Sequence, residues 1–194
     1  MMILPKNTAL ILIDVQNYFD DPAHGKRNNM NAEENMSLLL NAWRKKGMPV
    51  IHIQHISNPS LPHYPGRDIK EIVAPMEGEP VIVKSVNSAF IGTNLENYLR
   101  SSEIDTFVIV GLTTDHCVST TTRMGGNLGF TPYIVSDATA TFERVGFDRK
   151  LYSAEEIHTL NLVSLHQEFA TVVDTAQVLR YMGTGSSSLS KPEA

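Results

Sequence analysis

Residues Thr106 to Val118 read TFVIVGLTTDHCV. The first half is a continuous apolar run rich in β-branched residues. A strand with one wet face alternates apolar and polar side chains, so an unbroken run predicts a strand covered on both faces. The second half is a turn that delivers Asp115, His116 and Cys117 to the start of a helix-like stretch. Runs of the same kind recur at 9–14 (ALILID), 49–56 (PVIHIQHI), 80–84 (PVIVK), 132–138 (PYIVSDA) and 170–175 (ATVVDT). Helix-like segments lie between them. Residues 31–47, NAEENMSLLLNAWRKKG, carry Arg44, Lys45 and Lys46 in the last turn, where they complement the helix dipole, and stop at Gly47. Thr93 with Glu96, and Ser153 with Glu156, have capping-box spacing. This alternation predicts an α/β fold, a doubly wound three-layer sandwich around a six-stranded, mostly parallel sheet.

The 194 residues suffice for one domain, expected over 1–182, with a small, polar, flexible tail at 183–194. Residues 57–79 contain Pro59, Pro62, Pro65 and Pro75 and are expected to form a long loop, a lid or pocket wall with one helical turn near Asp68 to Ile72. Sixteen Lys and Arg against 21 Asp and Glu give a net charge of -5, so no basic footprint for nucleic acid exists. No apolar run approaches a membrane span, and the N-terminal run is closed by Asp14 without the frame of a secretion signal, so a cytoplasmic protein is expected. A single cysteine, Cys117, excludes an intramolecular disulfide and a Cys-rich metal site.

Ligands of open α/β sheets bind outside the carboxyl ends of the strands. Asp14 closes the first predicted strand, Lys84 the third, and Cys117 follows the fourth. Singly, each has an ordinary reading: a turn-forming Asp, a Lys reaching to solvent, a small buried thiol. Together at one sheet edge, an acid, an ammonium and a thiol suit nucleophilic catalysis. A helix N-terminus and a nearby cation are expected to lower the Cys117 pKa toward a reactive thiolate. Asp14 is the expected proton acceptor for the thiol and donor to a leaving amine. The backbone N–H groups of Thr113 and Cys117 are the expected oxyanion donors.

The motifs Asp14-Val15-Gln16-Asn17-Tyr18-Phe19, Lys84 followed by Ser88-Ala89-Phe90, and Gly111-Leu112-Thr113-Thr114-Asp115-His116-Cys117-Val118 with Thr121 and Gly129 resemble those of the isochorismatase-like cysteine hydrolases. That superfamily includes nicotinamidases, N-carbamoylsarcosine amidohydrolase, and ureidoacrylate, maleamate and biuret hydrolases. The resemblance covers nearly the whole chain. It implies a six-stranded parallel sheet, an Asp-Lys-Cys triad at Asp14, Lys84 and Cys117, a cis peptide joining Leu112 to Thr113, a small-molecule substrate and a homo-oligomer, dimer or tetramer. Nicotinamidases typically carry an Asp-x-His metal motif after the second strand. This chain reads His52-Ile53-Gln54-His55 there and lacks the carboxylate. The strand period puts His52 and His55 on opposite faces, so these two and His63 are expected to be core or loop residues; no metal and no cofactor are expected.

Phe19, Phe90, His116 and Arg123 are candidate pocket residues. The ordinary alternatives are core packing for the phenylalanines, a surface or interface position for His116 and a helix-surface ion pair for Arg123. Gly125 and Gly126 fall inside a helical stretch, which predicts close packing against another element. Trp43 is expected in the core or at an interface. The function that follows is hydrolysis of a C–N bond in a small amide, imide, ureido or carbamoyl compound through a thioester at Cys117. Two alternatives stand beside it: vinyl-ether hydrolysis of the isochorismatase type, which does not need Cys117, and a non-catalytic or redox-responsive α/β scaffold.

Overall fold

The computed structural model describes residues 3–58, 60 and 62–183. Six strands form the central sheet: β1 (Ala9–Ile13), β2 (Val50–His55), β3 (Val81–Lys84), β4 (Thr106–Leu112), β5 (Thr131–Ala140) and, after a two-stranded hairpin of β6 (Arg144–Val145) and β7 (Leu151–Tyr152), β8 (Thr171–Val173). The sheet order is β3-β2-β1-β4-β5-β8 and all its pairings are parallel. The chain therefore winds one way from β1 to β3, returns, and winds the other way from β4 to β8. The crevice between β1 and β4, where the direction reverses, is the natural binding place in such a sheet.

The unbroken apolar runs are explained by two cores. In β1, Leu10 and Leu12 join one core and Ala9, Ile11 and Ile13 the other, so every residue of the strand is buried. Helices α1 (Ala32–Lys46) and α5 (Thr175–Tyr181) cover the first core, through Met36, Leu39, Leu40, Trp43 and Val178. Helices α2 (Leu95–Ser101), α3 (Ser119–Asn127) and α4 (Ala154–Leu165) lie over the second, to which Leu95, Leu99, Leu162 and Leu165 belong. Trp43 is fully buried and its indole N–H donates to Thr8 O at 2.9 Å. β3 is an edge strand with alternating burial, Val81 and Val83 facing out.

Local rules account for most helix ends. α1 stops where Gly47 takes a left-handed φ of 62°. Ser153 and Glu156 form a reciprocal capping box on α4. Thr93 and Glu96 do not: α2 begins one residue later, and the Thr93 hydroxyl accepts from Leu95 N and donates to Ala89 O. The expected turn at Asp68 to Ile72 is replaced by two 3-10 turns, Pro65–Arg67 and Glu71–Val73, because Ile69 between them is held extended by bridging Gln16. Gly125 and Gly126 sit where a Cβ would come within 2.5 Å of the Phe107 ring and 2.7 Å of Phe169 O. Apart from Gly183, the expected C-terminal tail lies outside the described residues. Among the described residues no helix is long and apolar enough to cross a membrane.

Candidate active site

The carboxyl end of the sheet carries Asp14 directly after β1, His55 ending β2, Lys84 ending β3 and Cys117 five residues beyond β4. Strands β1 and β4 approach unusually closely here. Gly111 pairs with Ile13, has a φ of 130°, and a Cβ on it would lie 2.1 Å from Ile13 O. Asp14 itself adopts a φ of 50°, rare for a residue with a side chain, while its N–H donates to Ile53 O at 2.9 Å. This conformation ends the strand and turns the carboxylate along the sheet edge.

Past β4 the Leu112–Thr113 peptide is cis, and Thr114–Val118 makes a single π-helical turn that runs into α3. The turn is fastened at several points. Thr113 O accepts from the N–H groups of His116 at 3.1 Å and Val118 at 3.2 Å. The Thr114 hydroxyl is 2.8 Å from His158 Nδ1. Asp115 accepts from the Thr141 hydroxyl and pairs with Arg144 at 2.9 Å. Cys117 is thereby presented at the opening of the helix, buried but at the wall of a cavity of about 620 Å³.

Lys84 Nζ donates to Asp14 Oδ2 at 2.7 Å, with both side chains essentially inaccessible, and is 2.9 Å from His55 Nδ1. The other Asp14 oxygen, Oδ1, is buried with no hydrogen-bond partner among the described residues. Ligating atoms of Asp14, His55 and Cys117 lie within 4.8 Å of one another. An oxygen, a nitrogen and a sulfur so close could form part of a metal site, but the Lys84 ammonium already sits among them, bonded to both Asp14 and His55. The donor set therefore fits an internal cation better than a metal.

Burial pushes the Asp14 carboxyl above its ordinary range, and the charge and hydrogen bond of Lys84, with a smaller contribution from Cys117, oppose this without cancelling it. Burial, then the Lys84 charge, pulls His55 below its usual value, so the ring is neutral at pH 7. Cys117 differs from the sequence-based expectation. Burial and the Asp14 charge push the thiol up to about 12, and the opposing pull of Lys84 is smaller. The resting group is a thiol, not a thiolate, because desolvation of the anion outweighs the single cation beside it.

The cavity wall includes Tyr18, Phe19, His24, Phe142 and His116. Phe19 and Phe142 lie roughly parallel with centroids 6.1 Å apart, and His24 leans on Phe142 at 5.1 Å. Ser57, Tyr64 and Arg67 bring the proline-rich segment into the same wall. His116 is half-exposed and its Nε2 lies 3.0 Å from Arg144 Nη1. Two candidates belong elsewhere. Phe90 stacks on Phe130 at 5.9 Å within the second core and does not line the cavity. Arg123 lies beyond the nucleophile's turn on α3 and points toward α4: its guanidinium packs on Phe169 at 4.8 Å and donates to Ser164 Oγ at 2.8 Å.

Of the three histidines, His52 is buried against Glu79 at 2.9 Å, and Glu79 is also held by Arg44. His63 pairs with Asp68 on the surface. His55 alone enters the site. Its strand-end position was the available signal, since the rule that selects Asp14 and Lys84 applies equally to β2.

Residues 8–177 match the Isochorismatase domain family. The chain belongs to the isochorismatase family. It is 54% identical over 180 residues to the isochorismatase family protein YrdC of Bacillus subtilis (strain 168), an alignment covering 91% of this chain and 96% of YrdC. A crystal structure described as an isochorismatase-family hydrolase, from Chromobacterium violaceum ATCC 12472, superposes with a TM-score of 0.91 at 40% identity, covering 94% of this chain and 97% of the other. Nicotinamidase 3 of Arabidopsis thaliana is 27% identical over 192 residues, covering 90% of this chain and 88% of that protein. The isochorismatase-family chain described here is thus a hydrolase of α/β fold.

Proposed function

We propose that this isochorismatase-family hydrolase cleaves the C–N bond of a small amide, imide, ureido or carbamoyl compound through a thioester on Cys117. The observation that carries the reading is the split role of the Asp14 carboxylate. One oxygen is tied to Lys84 at 2.7 Å and the other is buried with no hydrogen-bond partner among the described residues, with Cys117 close by in the cavity wall.

The high pKa of Cys117 supports one order of events. The thiol keeps its proton until a substrate carbonyl is seated, and then passes it to Asp14 as sulfur attacks the carbonyl carbon. The raised Asp14 pKa suits this exchange, since a base is best matched to its task when its affinity for the proton is not too low. The carbonyl electrons move to oxygen, where the N–H groups of Thr113 and Cys117 are the proposed donors. Collapse re-forms the carbonyl, breaks the C–N bond and sends the Asp14 proton to the leaving nitrogen. Water then gives a proton to Asp14 and its oxygen to the acyl carbon. The C–S bond breaks and Asp14 returns the proton to sulfur, leaving an acid and an amine or ammonia. Lys84 keeps Asp14 oriented through its hydrogen bond to Oδ2.

A panel of small primary amides, ureido and carbamoyl acids, read by ammonia release and by intact mass for an acyl adduct, tests the reading. The native enzyme is expected to turn over a member of the panel and to carry the adduct on Cys117, and Cys117→Ala to do neither. Ammonia release that survives in Cys117→Ala would overturn the thioester route, whereas the ether-cleaving alternative predicts vinyl-ether turnover that survives Cys117→Ala but not Asp14→Asn.

A further inference from the structure

The buried Lys84 ammonium has three donors, and two are placed: one on Asp14 Oδ2 at 2.7 Å, one on His55 Nδ1 at 2.9 Å. An ammonium only donates, so His55 Nδ1 is the lone-pair nitrogen and the ring proton resides on Nε2. The backbone of His55 is fixed as carefully as its ring. Gln16, itself buried, accepts from His55 N at 2.8 Å, donates to His55 O at 3.2 Å and donates to Arg67 O at 2.8 Å. Gln16 lies two residues after Asp14, and His55 is the register partner of Lys84. The four residues close a ring: Asp14, Gln16, His55, Lys84 and back to Asp14.

We propose that His55 is a positioning residue of this site: by accepting from Lys84 it holds the ammonium against Asp14, and it ties the reactivity of Cys117 to its own protonation state. This rests on the reading of Asp14, Lys84 and Cys117 given above. Protonation of His55 replaces the Nδ1 lone pair with an N–H and sets a second cation against the ammonium, so the contact breaks and Lys84 loses one of its two anchors. Asp14, Lys84 and Cys117 adjoin the imidazole, and His24, Arg67, His116, Glu143 and Arg144 share its cavity. Burial and the Lys84 charge favour the neutral ring. A mechanism that needs Lys84 fixed therefore operates where His55 is neutral and fails where it is charged.

Two measurements on the whole protein test this without a substrate. Long-range proton-nitrogen spectra of the histidine rings, collected from about pH 5 to about pH 8, report the tautomer of His55. The expected result is an unprotonated, hydrogen-bonded Nδ1 whose resonance moves to a solvent-like position in Lys84→Met, with the ring then titrating at a higher pH. A protonated Nδ1, or a resonance indifferent to Lys84→Met, overturns the assignment. The second measurement is the rate of Cys117 alkylation by iodoacetamide across the same range. The native rate is expected to bend where His55 titrates, falling about tenfold below the slope extrapolated from higher pH, the effect of losing one hydrogen bond to a charged group. In His55→Asn, whose amide oxygen accepts but does not titrate, the bend disappears. A native profile without a bend across the pH at which the ring spectra show His55 titrating, or a bend that persists in His55→Asn, overturns the positioning role. Both readouts are independent of turnover, so hydrolysis surviving in Cys117→Ala would defeat the proposed function and leave them unchanged.

Discussion

Lys84 Nζ meets Asp14 Oδ2 at 2.7 Å although β2 lies between their strands, so the lysine reaches over the end of β2 to find its partner. Neither side chain is more than 1% exposed. A carboxylate this deeply buried stays charged only while a cation is held beside it, and the site depends on that contact for both stability and chemistry.

Lys84→Met should therefore destabilise the fold by about 3 kcal/mol near neutral pH, the usual cost of leaving one member of a buried pair alone. The sign of the pH dependence follows from Asp14. Its carboxyl is already raised by burial, and losing Lys84 raises it further. A carboxyl whose folded pKa exceeds its unfolded one costs stability above the unfolded value, and the cost fades as pH falls toward it. Urea unfolding should show the deficit of Lys84→Met shrinking as pH is lowered toward about 4, and adding Asp14→Asn should restore much of it at neutral pH. A deficit that is flat with pH would mean that the methionine has damaged packing instead.

The strand-helix alternation was legible because β1, β4 and β5 each feed two cores, which forces continuous apolar runs. Strand-end logic likewise brings out Asp14, Lys84 and Cys117. The hairpin of β6 and β7 was not legible, since two-residue strands leave no periodic signal. His55 escaped because strand periodicity assigns a face, whereas its role depends on a neighbouring strand end reaching sideways. Phe90 and Arg123 lie off the cavity for a related reason: closeness in sequence to Lys84 and Cys117 does not fix direction, and Phe90 turns to Phe107 and Phe130 in the second core while Arg123 turns to Ser164 and Phe169. The thiol pKa was misjudged because a sequence displays the nearby cation and helix end but not the depth of burial that outweighs them.

Gly111→Ala should be among the most damaging single-atom additions in the chain. The new Cβ would fall 2.1 Å from Ile13 O, a backbone atom that cannot yield without separating β1 from β4, and a φ of 130° is itself unfavourable for alanine. A loss on the order of 3 kcal/mol or more is expected in chemical denaturation. Gly129→Ala supplies the comparison, because Gly129 also has a positive φ but nothing within 4 Å of a Cβ, so only conformational strain remains. Equal losses in the two variants would show that close approach at Gly111 has no role.

Acid should weaken the fold through Glu33 and Glu79. Burial favours the neutral form of each, but Arg27 and Lys70 around Glu33, and Arg44, Met76 N–H and His52 around Glu79, together overcome it and hold both carboxyls at about 2. Depressed carboxyls stabilise fully above their unfolded value of 4.5, and that contribution disappears as pH falls toward 2. With both side chains mostly buried, on the order of 2 kcal/mol each is at stake after allowance for solvent screening. The double variant Glu33→Gln, Glu79→Gln should start less stable at neutral pH and lose less between pH 4.5 and 2, measured by the urea midpoint. An acid limb as steep as that of the native protein would place the titrating groups elsewhere.

Asp14→Asn should separate the reactivity of the thiol from hydrolysis. Apart from burial, the negative charge of Asp14 is the largest influence holding the Cys117 thiol up to about 12. Replacing it with a neutral amide leaves Lys84 as the adjacent charge, so the thiol should ionise at lower pH and react faster with iodoacetamide at a given pH. Hydrolysis should nevertheless fall by at least about a hundredfold, since the group that takes the proton from sulfur and delivers it to the leaving nitrogen is gone. A thiolate waiting in the site can still attack, but the amine cannot leave without its proton, and the tetrahedral adduct expels sulfur instead. Slower alkylation in Asp14→Asn would show that Asp14 already assists the thiol before substrate binds, and unchanged hydrolysis would remove Asp14 from the chemistry altogether.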